Sequence, residues 1–327
     1  MQPAVAERNL SRSDVADAAR YLDGQIVRTP MLSSAELDEL AGARLLLKAE
    51  NLQRSGSYKM RGATVAVGRL AAEGRAAGVV CQSTGNHAAA VAQAAQRHGL
   101  PAVVVLPADA APGKVARAAA AGACVLRADG DPHETVRQVH ADTGYAVIDA
   151  YDHPDVVAGQ GTAALELIEA ADAAGTPLDA LVVPVGGGGG AAGAVLAAEG
   201  RGIAVHGVEP YGCDSLARSL AAGRRVPVSP ATTLADGLRP ACVGELPFRV
   251  LRDSGIGSVR VDDDAIAHAF RLIMMHLKLL VEPSGAAALA GALQVTGAGG
   301  HRTVGVVLTG GNVEAGLVGR LMEGSDA

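Results

Sequence analysis

Between Val79 and Thr143, three short runs of β-branched and aliphatic residues alternate with segments of helical length. The spacing predicts strands at Val79–Gln82, Ala102–Leu106 and Cys124–Arg127, with helices at Asn86–His98, Gly113–Ala121 and Pro132–Thr143. Strands that are apolar throughout, each joined to the next by a helix, make right-handed crossovers and a parallel sheet covered on both faces. The alternation resumes beyond Ala150, with expected strands at Leu181–Val185, Ala204–Val208, Ser258–Val261 and Thr303–Leu308. Helices are expected at Asp155–Ala173, Ala191–Ala198, Asp263–Leu280, Pro283–Val295 and Val313–Met322, while Gly212–Leu251 reads as irregular. A first helix, capped by Ser11 or Ser13, should end near Leu22, and a buried strand should precede Lys48. Two three-layer α/β/α units with largely parallel sheets suit a chain of 327 residues better than one.

Composition narrows the function. A net charge of −6 with interspersed signs offers no basic stripe, and 2% aromatic residues leave few stacking platforms, so a nucleic-acid partner is not expected. No run of about 20 apolar residues free of charge occurs, and Met1–Asp14 lacks a basic-then-apolar leader, so no membrane span and a cytoplasmic location are expected. Cys81, Cys124, Cys213 and Cys242 are widely spaced and read as buried, reduced thiols. Neither a zinc spacing of His and Cys nor a G-x-S-x-G elbow is present.

Three stretches carry chemistry. In Ser55-Gly56-Ser57-Tyr58-Lys59-Met60-Arg61-Gly62-Ala63, helical spacing begins at Lys59, and Ser55 or Ser57 is placed to cap the helix. A lysine at the positive end of a helix in a partly dry pocket is pushed toward the neutral amine, which attacks aldehydes. Ser83-Thr84-Gly85-Asn86-His87 follows a strand and opens a helix, converging N–H groups and hydroxyls where a carboxylate is stabilised. Gly186 to Gly190 join a strand to a helix; so many glycines let backbone donors approach a bound phosphate closely. The same loop fits a dinucleotide fingerprint, Gly186-x-Gly188-x-x-Ala191, with Glu209 where a ribose-binding acid would sit. An NAD-dependent oxidoreductase is therefore the alternative from another class.

The lysine stretch, the asparagine loop and the glycine loop, in that order, resemble fold-type II pyridoxal-phosphate enzymes of the serine/threonine dehydratase family. That family usually has Phe at the position of Tyr58 and Leu at that of Gly190. The resemblance implies the tryptophan synthase β-like fold, with a large cofactor domain formed by residues 1–77 and 151–327 and a small domain by 78–150. It implies that Lys59 carries the cofactor and acts in catalysis with Thr84. Tyr58, Asn86, Gly186, Gly187, Gly188, Gly189, Glu282 and Thr309 would line pyridoxal phosphate, with Thr309 at the ring nitrogen. Ser83, Thr84, His87, Asp236 and Gly237 would face the substrate. Glu209 corresponds to one ligand of a divalent cation site, for Mg²⁺ or Ca²⁺, found in some members, whose second acidic position falls here on Ser215. The implied activity is a lyase that dehydrates and deaminates L-threonine or L-serine, with serine racemisation as the alternative within the family and a homodimer as the expected assembly. The chain ends shortly after its last helix, so a separate isoleucine-binding regulatory site is not expected.

Overall fold

The computed structural model describes residues 9–74, 76–297 and 300–324. Among the described residues ten strands are formed: β1 Met31–Leu32, β2 Arg44–Ala49, β3 Val79–Gln82, β4 Ala102–Pro107, β5 Cys124–Ala128, β6 Ala146–Val147, β7 Ala180–Pro184, β8 Ala204–Pro210, β9 Gly257–Val261 and β10 Thr303–Leu308. They make two sheets, ordered β1-β2-β10-β7-β8-β9 and β5-β4-β3-β6. Every pairing is parallel except that of β1 with β2. The central place of β10, paired at Val306 with both Leu47 and Val182, closes the larger sheet with the end of the chain.

Helices cover both faces of each sheet because the apolar strands have no face to give to water. In the larger sheet, Val15, Val157, Leu196 and Leu246 build the core on one side, and Leu37, Phe270, Leu289 and Leu321 build it on the other. In the smaller, the helices Lys59–Ala72 and Asn86–Arg97 lie on one face and Pro132–Thr143 on the opposite one. The helix Pro154–Ala173 links the two halves by backbone-to-backbone packing. A Cβ on Gly159 would stand 2.7 Å from Gly62 Cα, and one on Gly161 would stand 2.6 Å from Gly193 O. Those approaches bring the lysine helix and the helix after the glycine loop, Gly189–Ala198, against one common partner. Among the described residues no helix is long and apolar enough to cross a membrane.

Some expectations are corrected. The stretch Gly212–Leu251 contains two short helices, Ser215–Ala222 and Glu245–Arg252. The helix from Asp263 stops at Leu272 and runs into a π-turn, Ile273–Leu277, which Lys278 ends in a left-handed conformation with φ 58°. Cys124 is exposed, because it begins the edge strand β5, whose start has no neighbour beyond it. Neither Ser55 nor Ser57 caps the lysine helix. Its N-cap is Tyr58, without a side-chain cap.

Candidate active site

Lys59 is placed by the other end of the chain. Ser55 and Gly56 both take left-handed conformations, with φ of 60° and 74°, so the chain turns sharply just before the helix. The extended residue Ser57 then bridges Gly310, Tyr58 N donates to Thr309 O (2.9 Å) and Gly311 N donates to Gly56 O (3.0 Å). Two residues into the helix, Arg61 is fully buried and grips Glu50 through Nε and Nη2 (2.7 and 2.8 Å) and Glu166 through Nη1 and Nη2 (2.8 and 2.9 Å). Its remaining N–H goes to Thr162 Oγ1 (3.0 Å), so all five guanidinium donors are used. Lys48 completes the cluster, donating to Glu166 (2.7 Å) and to Thr29 O (2.5 Å).

With its helix fixed, Lys59 donates from Nζ to Ala150 O (2.8 Å) and has no carboxylate at salt-bridge distance among the described residues. Burial pulls its pKa down to about 8, and the more distant Asp149 and Glu282 offset only part of that. Glu282 lies at the start of the helix Pro283–Gly297, and its carboxyl is raised to about 7, chiefly by burial. Asn86 Nδ2 donates to both Glu282 oxygens (2.8 and 3.1 Å), while Asn312 Nδ2 donates to Asn86 Oδ1 and Ser55 O (both 2.8 Å). Thus Lys59, Asn86, Glu282 and Thr309 come together from four separate stretches of chain.

The glycine loop borders the same space. Gly188 is left-handed, with φ 88°, and the helix it opens has no side-chain cap, so its first N–H groups are left to an anion. A Cβ on Gly187 would collide with the Tyr151 ring, and one on Gly190 would come 2.8 Å from the Tyr58 hydroxyl. Tyr58, Gly190 and Thr309 line a cavity of about 10 Å³ beside the loop. A larger cavity, about 540 Å³, lies by Val205, Leu246 and Arg249 and touches none of the candidate residues.

Among the residues expected to face a substrate, Ser83 Oγ accepts from Gly85 N (3.2 Å), and Ser83 and Thr84 are half-buried at the start of the helix Asn86–Arg97. His87 is buried with Nε2 on Ile148 O (2.9 Å), and burial, then Lys59, depresses it to about 4. A neutral ring committed to a carbonyl leaves anion binding to the neighbouring N–H groups. Gly237 N donates to Ser284 Oγ (3.0 Å), and the largely exposed Asp236 pairs with Lys114 (3.2 Å) from the helix Pro112–Ala120. Sequence reasoning missed Tyr151, Asn312 and the Ala150 carbonyl. No local signal pointed to Tyr151: it lies far from the glycine loop in sequence, and the fold brings it and Tyr58 against that loop.

Residues 22–310 match the family described as "Pyridoxal-phosphate dependent enzyme". The chain belongs to that family. It is 38% identical over 318 residues to the L-threo-3-hydroxyaspartate ammonia-lyase of Saccharomyces cerevisiae, covering 96% of both chains. The solved T.th. threonine deaminase superposes with a TM-score of 0.88 at 42% identity, covering 93% of this chain and 99% of that one. Maize serine racemase gives 0.90 at 34%, covering 97% and 98%. Family members use pyridoxal phosphate, and the residues present fit it: an uncapped glycine-rich helix start suits a phosphate, and Ser57 Oγ and Gln160 Oε1 are buried without a hydrogen-bond partner.

Membership overturns the dinucleotide reading of the glycine loop. The acid that reading needed is out of reach: Glu209 is fully buried and its two oxygens accept from Leu216 N (2.7 Å) and Ala217 N (2.9 Å). Burial raises its pKa to about 7.

Proposed function

We propose that the chain is a pyridoxal-phosphate-dependent ammonia-lyase that converts a small 3-hydroxy amino acid, such as threonine, serine or 3-hydroxyaspartate, to a 2-oxo acid and ammonia. The observation that carries this reading is the partly buried Lys59 amine, its pKa drawn down to about 8, beside the Asn86–Glu282 pair and next in sequence to Tyr58, which stands against the glycine loop. When bound, pyridoxal phosphate supplies an electron sink conjugated to the substrate Cα. Lys59 Nζ would hold the cofactor in the resting protein and, as the free amine, would take the Cα proton. Gly186 to Gly189 would hold the phosphate, Thr309 would offer the ring a neutral hydroxyl, and Asn86, bonded to Glu282, would line the ring. The N–H groups and hydroxyls of Ser83 and Thr84 hold the substrate carboxylate. Water lost at the β-carbon is regained when the released enamine hydrolyses.

Resemblance to maize serine racemase supports a second reading in which the same site also inverts Cα. Assays for ammonia and 2-oxo acid, run beside chiral analysis of residual serine, separate the two; product formation without ammonia would overturn the lyase reading. Thr84→Ala is expected to depress inversion more than elimination, since Lys59 serves the elimination face alone. Equal losses would show that the Thr84 hydroxyl holds the carboxylate alone and serves no proton transfer on the opposite face.

Two further outcomes test the cofactor assignment. Gly187→Ala drives a Cβ into Tyr151 and should weaken cofactor binding at least ~tenfold, read by titrating the cofactor-free protein; unchanged affinity would contradict a phosphate cradle there. With a pKa of about 8, Lys59 gains its neutral form as pH rises. The rate of cofactor loading should therefore climb with pH and level off above about 8. A climb continuing toward 10.5 would show an unperturbed lysine.

We also infer domain boundaries at 77/78 and 150/151, a reading supported by the separation of β3 to β6 into their own sheet. A cytoplasmic setting is supported by Cys81 and Cys213, which are buried as free thiols. A homodimer is supported by exposed Leu52, Met275 and Leu280, of which Leu52 and Leu280 are drawn together where Asn51 Nδ2 donates to Leu280 O (2.9 Å). No nucleic-acid partner is proposed for an acidic surface of this kind.

A further inference from the structure

The cation site that the family resemblance implies at Glu209 has a different content in this chain. A hard divalent cation needs six or more oxygen ligands, with carboxylates free to turn toward it. Both Glu209 oxygens are instead held by the first N–H groups of the helix Ser215–Ala222. Asp214, itself 3% exposed, takes Arg218 Nε on one oxygen (3.0 Å) and Arg260 Nη1 on the other (3.5 Å). Arg260 also lies over the Tyr211 ring, 5.5 Å from the guanidinium carbon to the centroid.

At the position of the second acidic ligand, Ser215 is also engaged. Its Oγ donates to Val226 O (2.9 Å) and accepts from Val243 N (3.0 Å). Those two partners bracket the segment that carries Asp236 and Gly237 toward the candidate active site. Among the described residues no group of three or more His, Cys, Asp or Glu side chains is arranged to hold a metal ion. Two guanidinium groups beside Asp214 also repel an incoming dication.

We propose that this chain works without a divalent cation: Arg218 and Arg260 supply the positive charge that such a cation brings, and the Ser215 hydroxyl ties down both ends of the 226–243 segment. The inference concerns a structural subsite, so it stands or falls separately from the choice of reaction. The test uses the holoenzyme. After treatment with EDTA and removal of the chelator, its melting temperature and its kcat/KM with the best hydroxy amino acid should stay at the untreated values, the latter within about twofold, with and without millimolar Mg²⁺ or Ca²⁺. Titration calorimetry with MgCl₂ and with CaCl₂ should give no saturable heat. Saturable one-to-one binding, a melting temperature raised by either ion, or activity lost to EDTA and restored by Mg²⁺ would each overturn the proposal. The calorimetric and melting arms remain decisive even if the reaction proves to be racemisation.

Discussion

Lys59→Ala is expected to lower kcat/KM by ~10³-fold or more while leaving the fold intact, because it removes the group proposed to take the Cα proton. The direction of the accompanying stability change distinguishes this from general damage. In the cofactor-free protein, Lys59 titrates near 8 rather than 10.5, and its principal contact is one carbonyl. Folding therefore penalises the ammonium form, fully at pH below about 8 and progressively less as pH rises from there toward 10.5. By linkage the penalty at pH 7 is about 3 kcal/mol, an upper figure that lost methylene packing reduces. Cofactor-free Lys59→Ala should thus be at least as stable as the parent at pH 7, with the difference shrinking as pH rises toward 10.5. A variant that melts well below the parent would mean that Lys59 is a structural lysine.

Arg61→Met should do the opposite, destabilising the protein by roughly 3–5 kcal/mol, because Glu50 and Glu166 would be left to share Lys48 in a buried setting. That is a large part of the stability of an ordinary domain. The loss should grow with pH. Glu166 is held below its ordinary value against the opposing effect of burial, chiefly by its hydrogen bonds to Arg61. Its contribution is present above about 4.5 and is lost as pH falls through the depressed native value. Parent and variant should therefore converge in strong acid, where the carboxylates are protonated in both. Equal denaturation midpoints at pH 7 would contradict the account of how the lysine helix is anchored. Arg61→Lys should rescue little, since an ammonium cannot fill two forked carboxylate contacts.

Much of this architecture is legible in the sequence because its signals are local. Strands such as Val79–Gln82 and Thr303–Leu308 are short, apolar and flanked by turns, so their limits follow from composition. The lysine, asparagine and glycine stretches are similarly contiguous, and each lies at a strand end or helix start where its chemistry operates. What the sequence hides is long-range. Nothing near Thr303 announces that β10 will sit between β2 and β7, and nothing near Arg61 points to Glu166. The cap of the lysine helix is hidden for the same reason: Ser57 pairs with Gly310 rather than turning back on its own helix. The helices Ser215–Ala222 and Glu245–Arg252 are only eight residues long, too short for periodicity to stand out, and the first is set by Glu209 accepting from its initial N–H groups. The stop after Leu277 depends on a left-handed lysine, Lys278, which no propensity favours.

The central claim is that Lys59 carries pyridoxal phosphate in the working enzyme. Reduction of the purified protein with borohydride, followed by peptide mapping, measures this directly. The predicted result is one cofactor adduct per chain, on Lys59 in the peptide containing Ser57, Tyr58 and Met60. An adduct on Lys48 or Lys114, or an unmodified Lys59 in protein that is active and saturated with the cofactor, would contradict it.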